Sequence, residues 1–230
     1  MALSMKDFRI LAFAVLLITS ACNKDVNVAP TPPKLPACGQ NVISGYTDKT
    51  SYFPGEEVEV FLQSKTSLSC GLGLYSISGQ LVFTSDVLLF PQSVSTYSPW
   101  LNGFDFSING KVSLPASLAS GVYFFENRIP VIIKSSGASD VVVVYPSNTI
   151  NAYNSNGGKS LYSFNSSNNT PSTAVSIFEA NCDNAQMDLC IECLKWFPSL
   201  SEVSFGYICD MDLDTYSSIA NSKLVIDRWS

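Results

Sequence analysis

The run Val141-Val142-Val143-Val144-Tyr145 is apolar at every position. A strand with one solvated face alternates apolar and polar side chains, whereas an unbroken run suits a strand buried on both faces, as in a parallel sheet. The run divides the chain into two patterns. After it, the order reads strand, long loop, helix, strand, short helix, strand. That order indicates an α/β layer of parallel strands, with right-handed crossovers setting helices on its faces.

Before it, short alternating segments dominate. Val58, Val60 and Leu62 alternate with Glu57, Glu59, Phe61 and Gln63 after a Pro54-Gly55 turn. Further β-like runs fall at residues 72–76, 80–84, 104–108, 111–114, 121–126 and 129–133, punctuated by Gly, Pro, Ser and Asn. Roughly seven short strands over residues 41–134 predict an immunoglobulin-like β-sandwich. Trp100, Tyr97 and Tyr123 read there as core or surface aromatics. Residues 135–140 form a linker to the α/β part, residues 141–230.

In that second part, residues 146–173 read as one long polar loop rich in Asn, Ser and Gly, and a loop of that length usually carries function. Residues 183–197 predict a helix capped by Asp183, with Met187, Cys190, Ile191, Leu194 and Phe197 on one face and Pro198 ending it. Residues 202–208 and 224–227 predict the next two strands, with a short helix at 215–220 between them.

The chain has no histidine among its 230 residues. No Ser-His-Asp triad, Cys-His pair or histidine-bearing metal site can be built within it. Nineteen acidic side chains against 13 basic ones, with no basic run, argue against nucleic acid as a partner. Charged residues are only 14%, below the ~25% of ordinary soluble domains. Polarity comes from Ser, Thr and Asn, as in extracellular β-proteins.

The first 21 residues read as an export signal: Lys6 and Arg9, then the apolar stretch 10–18, too short to span a bilayer. Thr19-Ser20-Ala21-Cys22 resembles a bacterial lipobox, which makes Cys22 the lipidated residue. Residues 22–40, rich in proline, form a tether, expected to be extended. The expected location is therefore the cell envelope, at the outer membrane or cell surface, with the membrane as a partner through the lipid on Cys22.

Six cysteines remain: Cys38, Cys70, Cys182, Cys190, Cys193 and Cys209. An even number in an exported chain favours disulfides. Cys38 and Cys70 share the N-terminal half, and their pairing would staple the end of the tether to the first sheet. Cys190-Ile-Glu-Cys193 is a C-x-x-C, but the outer spacings do not make two zinc knuckles. Structural disulfides are the favoured reading of these four. Asp210-x-Asp212-x-Asp214 begins like a calcium loop, yet Thr215 stands where glycine is needed and Asn221 where the closing glutamate belongs.

Within residues 143–163, Pro146, Asn148-Thr149, Ala152-Tyr153-Asn154, Gly157-Gly158 and Ser160-Leu161-Tyr162 occur in one order. With Gly45-Tyr46, Pro54-Gly55-Glu56, Gly121-Val122-Tyr123, the strand at 174–177, Lys195-Trp196 and Asp210-Met211-Asp212-Leu213, this pattern resembles the large (β) subunit of N,N-dimethylformamidase and its relatives. The resemblance covers nearly all of residues 41–230. It implies a flavodoxin/glutamine-amidotransferase-like three-layer α/β domain behind the sandwich, here partial, with relatives continuing past the position of Ser230. It also implies an ancestry in amide (C–N) hydrolysis with a mononuclear iron held by tyrosine and glutamate. Tyr153 is the candidate iron ligand, and Asn148, Thr149, Tyr153, Asn154, Gly157, Gly158 and Tyr162 form the candidate ligand loop at the carboxyl end of the first parallel strand. Neutral Asn and Tyr groups suit a small amide or a glycan. The expectation is a chain without catalysis of its own, the alternative a non-enzymatic surface module for a glycan or protein partner.

Overall fold

The computed structural model describes residues 34–180, 192, 194–197, 200 and 202–227. The export signal 1–21, Cys22, the first part of the tether, Asp183 and Cys182, Cys190 and Cys193 lie outside the described residues. The described part belongs to one compact unit, Lys34–Ser230, mixed α/β with strands predominating.

Two sheets face each other across one core. The first holds β1 (Val42–Thr47), β3 (Glu57–Ser64) and β6 (Gly110–Ser113) in the order β1-β3-β6, all antiparallel. The second has five strands: β2 (Ser51–Tyr52), β4 (Leu68–Ser76), β5 (Leu81–Leu89), β7 (Gly121–Phe125) and β8 (Ile129–Ile133), in the order β2-β8-β7-β4-β5. Its pairings are antiparallel except for the short parallel contact of β2 with β8. The alternation in β3 works as read. Val58, Val60 and Leu62 are fully buried and meet Leu72 and Leu74 of β4, Phe125 of β7 and Ile129, Val131 and Ile133 of β8.

Cys38 and Cys70 are joined, as expected. The end of the tether lies along β4: Gly71 N donates to Pro36 O at 2.8 Å and Cys38 N to Gly71 O at 3.0 Å. Two differences from the expected strands have local causes. The run 80–84 continues to Leu89, because β5 pairs with β4 along nearly its whole length, with Val87 and Leu89 turned inward while Asp86 and Leu88 face outward. Residues 104–108 are not a strand. There Asp105 accepts from Ser95 and Gln92 Oε1 accepts from Ser107 N, so side chains take the bonds a ladder would need. Just before them lies a single helical turn, α1 (Pro99–Asn102).

The third sheet is fully parallel and has three strands: β9 (Val141–Tyr145) lies between β10 (Phe205–Cys209) and β11 (Leu224–Ile226). Its central strand is buried on both faces, as its unbroken apolar run demands. Val143 and Tyr145, with Tyr207, pack against Val122, Phe124 and Ile132 of β7 and β8. Val142 and Val144, with Ile208, pack under Tyr216 and Ile219. One face of the parallel sheet is thus covered partly by the outer side of a β-sheet rather than by helices alone. Leu224 and Val225 on the edge strand β11 are exposed.

The stretch 146–173 is not all loop. Its first residues form α2 (Ser147–Tyr153), which leaves the end of β9. Residues 174–177 are not a strand of the sheet. The segment runs beside α1 and the residues after it, with Ser176 N on Trp100 O and Phe104 N on Phe178 O, both at 2.7 Å. Of the helix expected at 183–197, Glu192 and residues 194–196 are described and helical. The short helix expected at 215–220 is a 3-10 helix, Ser217–Asn221.

Candidate functional site

β9 and β10 end side by side at the paired residues Tyr145 and Cys209. Open α/β sheets bind ligands beyond such strand ends. The acidic residues placed here are engaged in holding the fold. Asp210 receives Ser147 Oγ at 2.5 Å and Asn148 N at 2.8 Å. A carboxylate from one strand end thereby caps the helix that leaves the neighbouring strand.

Asp212 accepts Ser51 Oγ at 2.6 Å, Cys209 N at 3.0 Å and the Lys134 ammonium at 3.2 Å. The Lys134 and Asp212 side chains are only 15% and 13% exposed, so this cluster ties the parallel sheet to β2 and to the residue following β8. Asp214 is exposed. The three carboxylates do not converge into a calcium cup, and among the described residues no three His, Cys, Asp or Glu side chains are grouped to hold a metal.

Cys209 is a free, buried thiol, which corrects its place among the disulfide candidates. Its Sγ lies against Ser147 Oγ. Burial pushes the thiol up to about 11, with the Ser147 hydroxyl opposing. A thiol of that kind stays neutral and is a poor nucleophile at physiological pH.

The candidate ligand loop falls into a framework and a set of rings. Asn148 and Thr149 sit in the first turn of α2. Buried Asn154 sends Nδ2 to Ala180 O at 3.1 Å and accepts Asn156 N at 3.0 Å. Gly157 permits a close approach: a Cβ there would lie 2.5 Å from Trp100 N and 2.7 Å from Trp100 Cα. Gly158 has φ +99°, a conformation side chains resist. On the other side, Tyr153 and Tyr162 stack at 4.3 Å between centroids, and Phe164 stands 5.7 Å from Tyr162. Beside the loop, Ser44, Gln63, Phe104, Arg128, Asn156 and Ala180 line a groove of about 490 Å³.

Glu179, Trp100, Phe164 and Asn165 belong to this region and escape the motif. Glu179 did have a signal: it is the first charged residue after Lys159. It is 2% exposed and its Oε1 has no hydrogen-bond partner, while Oε2 accepts Gly157 N at 3.1 Å. Burial pushes its carboxyl up to about 7, and the Gly157 N–H pulls the other way.

An unfolded chain ionises this group near 4.5, whereas the folded chain holds its proton to about 7. Between those values the unfolded state releases a proton that the folded state keeps, so this group lowers stability as pH rises and the loss levels off above about 7. Glu179→Gln is therefore expected to stabilise the protein at pH 8, relative to its effect at pH 4, by on the order of 1–2 kcal/mol. Urea unfolding of both proteins at the two pH values measures it; a pH-independent difference contradicts it.

Tyr153 does not meet the requirements of an iron ligand among the described residues. Its contacts are the rings of Tyr162 and Phe164. Its phenol is raised above the ordinary value, first by the hydrogen bond with Tyr162. A hard iron site wants an anionic phenolate joined by carboxylate or imidazole. Glu179, a carboxylate of the same region, is engaged by Gly157 instead.

Residues 94–226 match the family model described as N,N-dimethylformamidase beta subunit-like, C-terminal. The match runs from before α1 through β11 and includes the whole candidate loop. No curated protein and no solved structure matches the chain.

Proposed function

Since the chain belongs to the N,N-dimethylformamidase beta subunit-like family, we propose that it is an exported, lipid-anchored relative of amide (C–N) hydrolases that binds a neutral ligand at residues 146–173 without turning it over. The observation that carries this reading is the engagement of Asp210 and Asp212. Amide hydrolysis needs a base or metal to activate water and an acid to protonate the leaving nitrogen. At the carboxyl end of this sheet, Asp210 is fixed on the first turn of α2 and Asp212 on Ser51, Cys209 N and Lys134. Cys209 is neutral by burial, and the chain brings no histidine.

The neutral hydrogen-bonding groups of the loop support binding. The residues around Cys22 and the proline-rich tether support anchoring at the envelope. The two facing sheets are read as an immunoglobulin-like sandwich, and the parallel sheet as part of a flavodoxin/glutamine-amidotransferase-like layer. Equilibrium dialysis of the purified chain against ferrous iron, followed by metal analysis, tests the reading. Iron far below one per chain is expected. Stoichiometric iron that is lost in Tyr153→Phe overturns it.

A further inference from the structure

Phe164 is 69% exposed, Tyr162 38% and Leu161 39%. Three large apolar side chains within four residues would be an unusual surface unless something packs on them. They are also held still. Ser160, fully buried, donates its hydroxyl to Asn165 Oδ1, lies 3.1 Å from Tyr162 O, and accepts Tyr162 N at 3.0 Å. Ser166, also buried, donates to Tyr162 O at 2.6 Å and accepts Ser160 N at 2.9 Å. Asn165 Nδ2 reaches Tyr153 O at 2.7 Å, tying the loop to the end of α2. Tyr153 backs Tyr162 as a stacked ring. The ring set is preorganised, so little ordering is left to be done on binding.

The surroundings select the ligand. From Ser160 to Phe178 there is no charged residue. Lys159, just before, places its ammonium over the Trp100 ring at 5.0 Å. An anionic membrane or nucleic acid would call for a basic rim. Here the residues that flank the rings along the chain carry exposed hydroxyls and amides: Ser163, Ser167, Asn168 and Asn169. Asn168 and Asn169 both have left-handed backbone, at φ 57° and 52°, which fixes a tight turn beside the rings. An aromatic face offers its negative quadrupole to polarised C–H groups, and Asn and Ser offer paired donors and acceptors. One apolar C–H face fringed by equatorial hydroxyls is the surface of a pyranose ring.

We propose that Tyr162 and Phe164, steadied by Tyr153, form a stacking platform for the pyranose rings of a neutral polysaccharide, with Ser163, Asn168 and Asn169 as the polar fringe. The proposal rests on the reading that the loop binds rather than turns over, and names the class of ligand. For a protein held at the cell envelope, such a platform acts as a contact to extended, uncharged glycan.

The test is migration of the purified full chain through native gels cast with hydroxyethyl cellulose, glucomannan, xylan or anionic polygalacturonate, together with flotation on phosphatidylcholine/phosphatidylglycerol vesicles. Retardation by at least one neutral polysaccharide is expected, weakened about tenfold or more by Phe164→Ala and by Tyr162→Ala and retained by Phe164→Trp. Thermal unfolding of the Phe164→Ala protein should be unchanged, since that ring is mostly exposed, and this variant decides if Tyr162→Ala disturbs the loop. No retardation in any neutral gel, retardation insensitive to Phe164→Ala, or stronger binding to polygalacturonate or to vesicles overturns the platform. These outcomes leave the iron dialysis result untouched, so the two readings fail separately.

Discussion

Replacing Asp212 with alanine is expected to cost roughly 3–5 kcal/mol of folding stability, the range for breaking a buried ion pair by removing one partner. The carboxylate serves three donors at once, the Ser51 hydroxyl, the Cys209 amide and the Lys134 ammonium. Alanine would leave Lys134 charged at 15% side-chain exposure, with the Phe53 ring at 4.5 Å as a remaining favourable contact. The amide of Cys209 would lose its acceptor at a strand end. Asp212→Asn should cost less, because an amide oxygen still accepts from the amide and the hydroxyl. Urea unfolding followed by tryptophan fluorescence measures both. A loss below about 1 kcal/mol for the alanine variant, the value of an exposed pair, would contradict the role assigned to Asp212.

The second large effect is expected at the disulfide. Cys38 and Cys70 are both fully buried, joined and 32 residues apart. Removing a native disulfide of this kind costs about 2–5 kcal/mol. The double variant Cys38→Ser/Cys70→Ser should lose that much. Reduction of the wild-type chain should produce a loss of similar size, because the same covalent link is cut. Residues 36–38 should become protease-sensitive at the same time, since their backbone bonds to Gly71 depend on being held beside β4. An unchanged unfolding midpoint in the double variant would show that the link is energetically idle.

What could be read from the sequence divides along a physical line. Features set by a residue and its near neighbours were legible. The alternation of Val58, Val60 and Leu62 put them in the core, and the unbroken Val141–Tyr145 run became a strand buried on both faces. Gly157 and Gly158 were singled out, and both are needed, one for close approach and one for its backbone angle. Features set by distant partners were not legible. Ser147-Asn148-Thr149 reads as loop because the carboxylate that caps α2 comes from Asp210, far along the chain.

Parity of cysteines could not say that Cys209 would be sealed between β9, α2 and Asp210 as a free thiol. Nor could alternation reveal that Val122, Phe124 and Ile132, on the outer side of the second sheet, would meet a third sheet. Tyr153 and Tyr162 were legible as residues, but Phe164 and the surface that the three rings form were not. Its form depends on two buried serines, Ser160 and Ser166, whose hydroxyls fold the loop back on itself.

The central claim is that a fold belonging to a hydrolase-related family here holds its strand-end carboxylates in structural bonds and uses the neighbouring loop for binding. Measuring dimethylamine released from N,N-dimethylformamide by the purified full chain supplied with ferrous iron tests this most directly. Release no faster than the protein-free blank is the expected result. Turnover that depends on iron and is abolished by Tyr153→Phe, with the fold intact, would contradict the account.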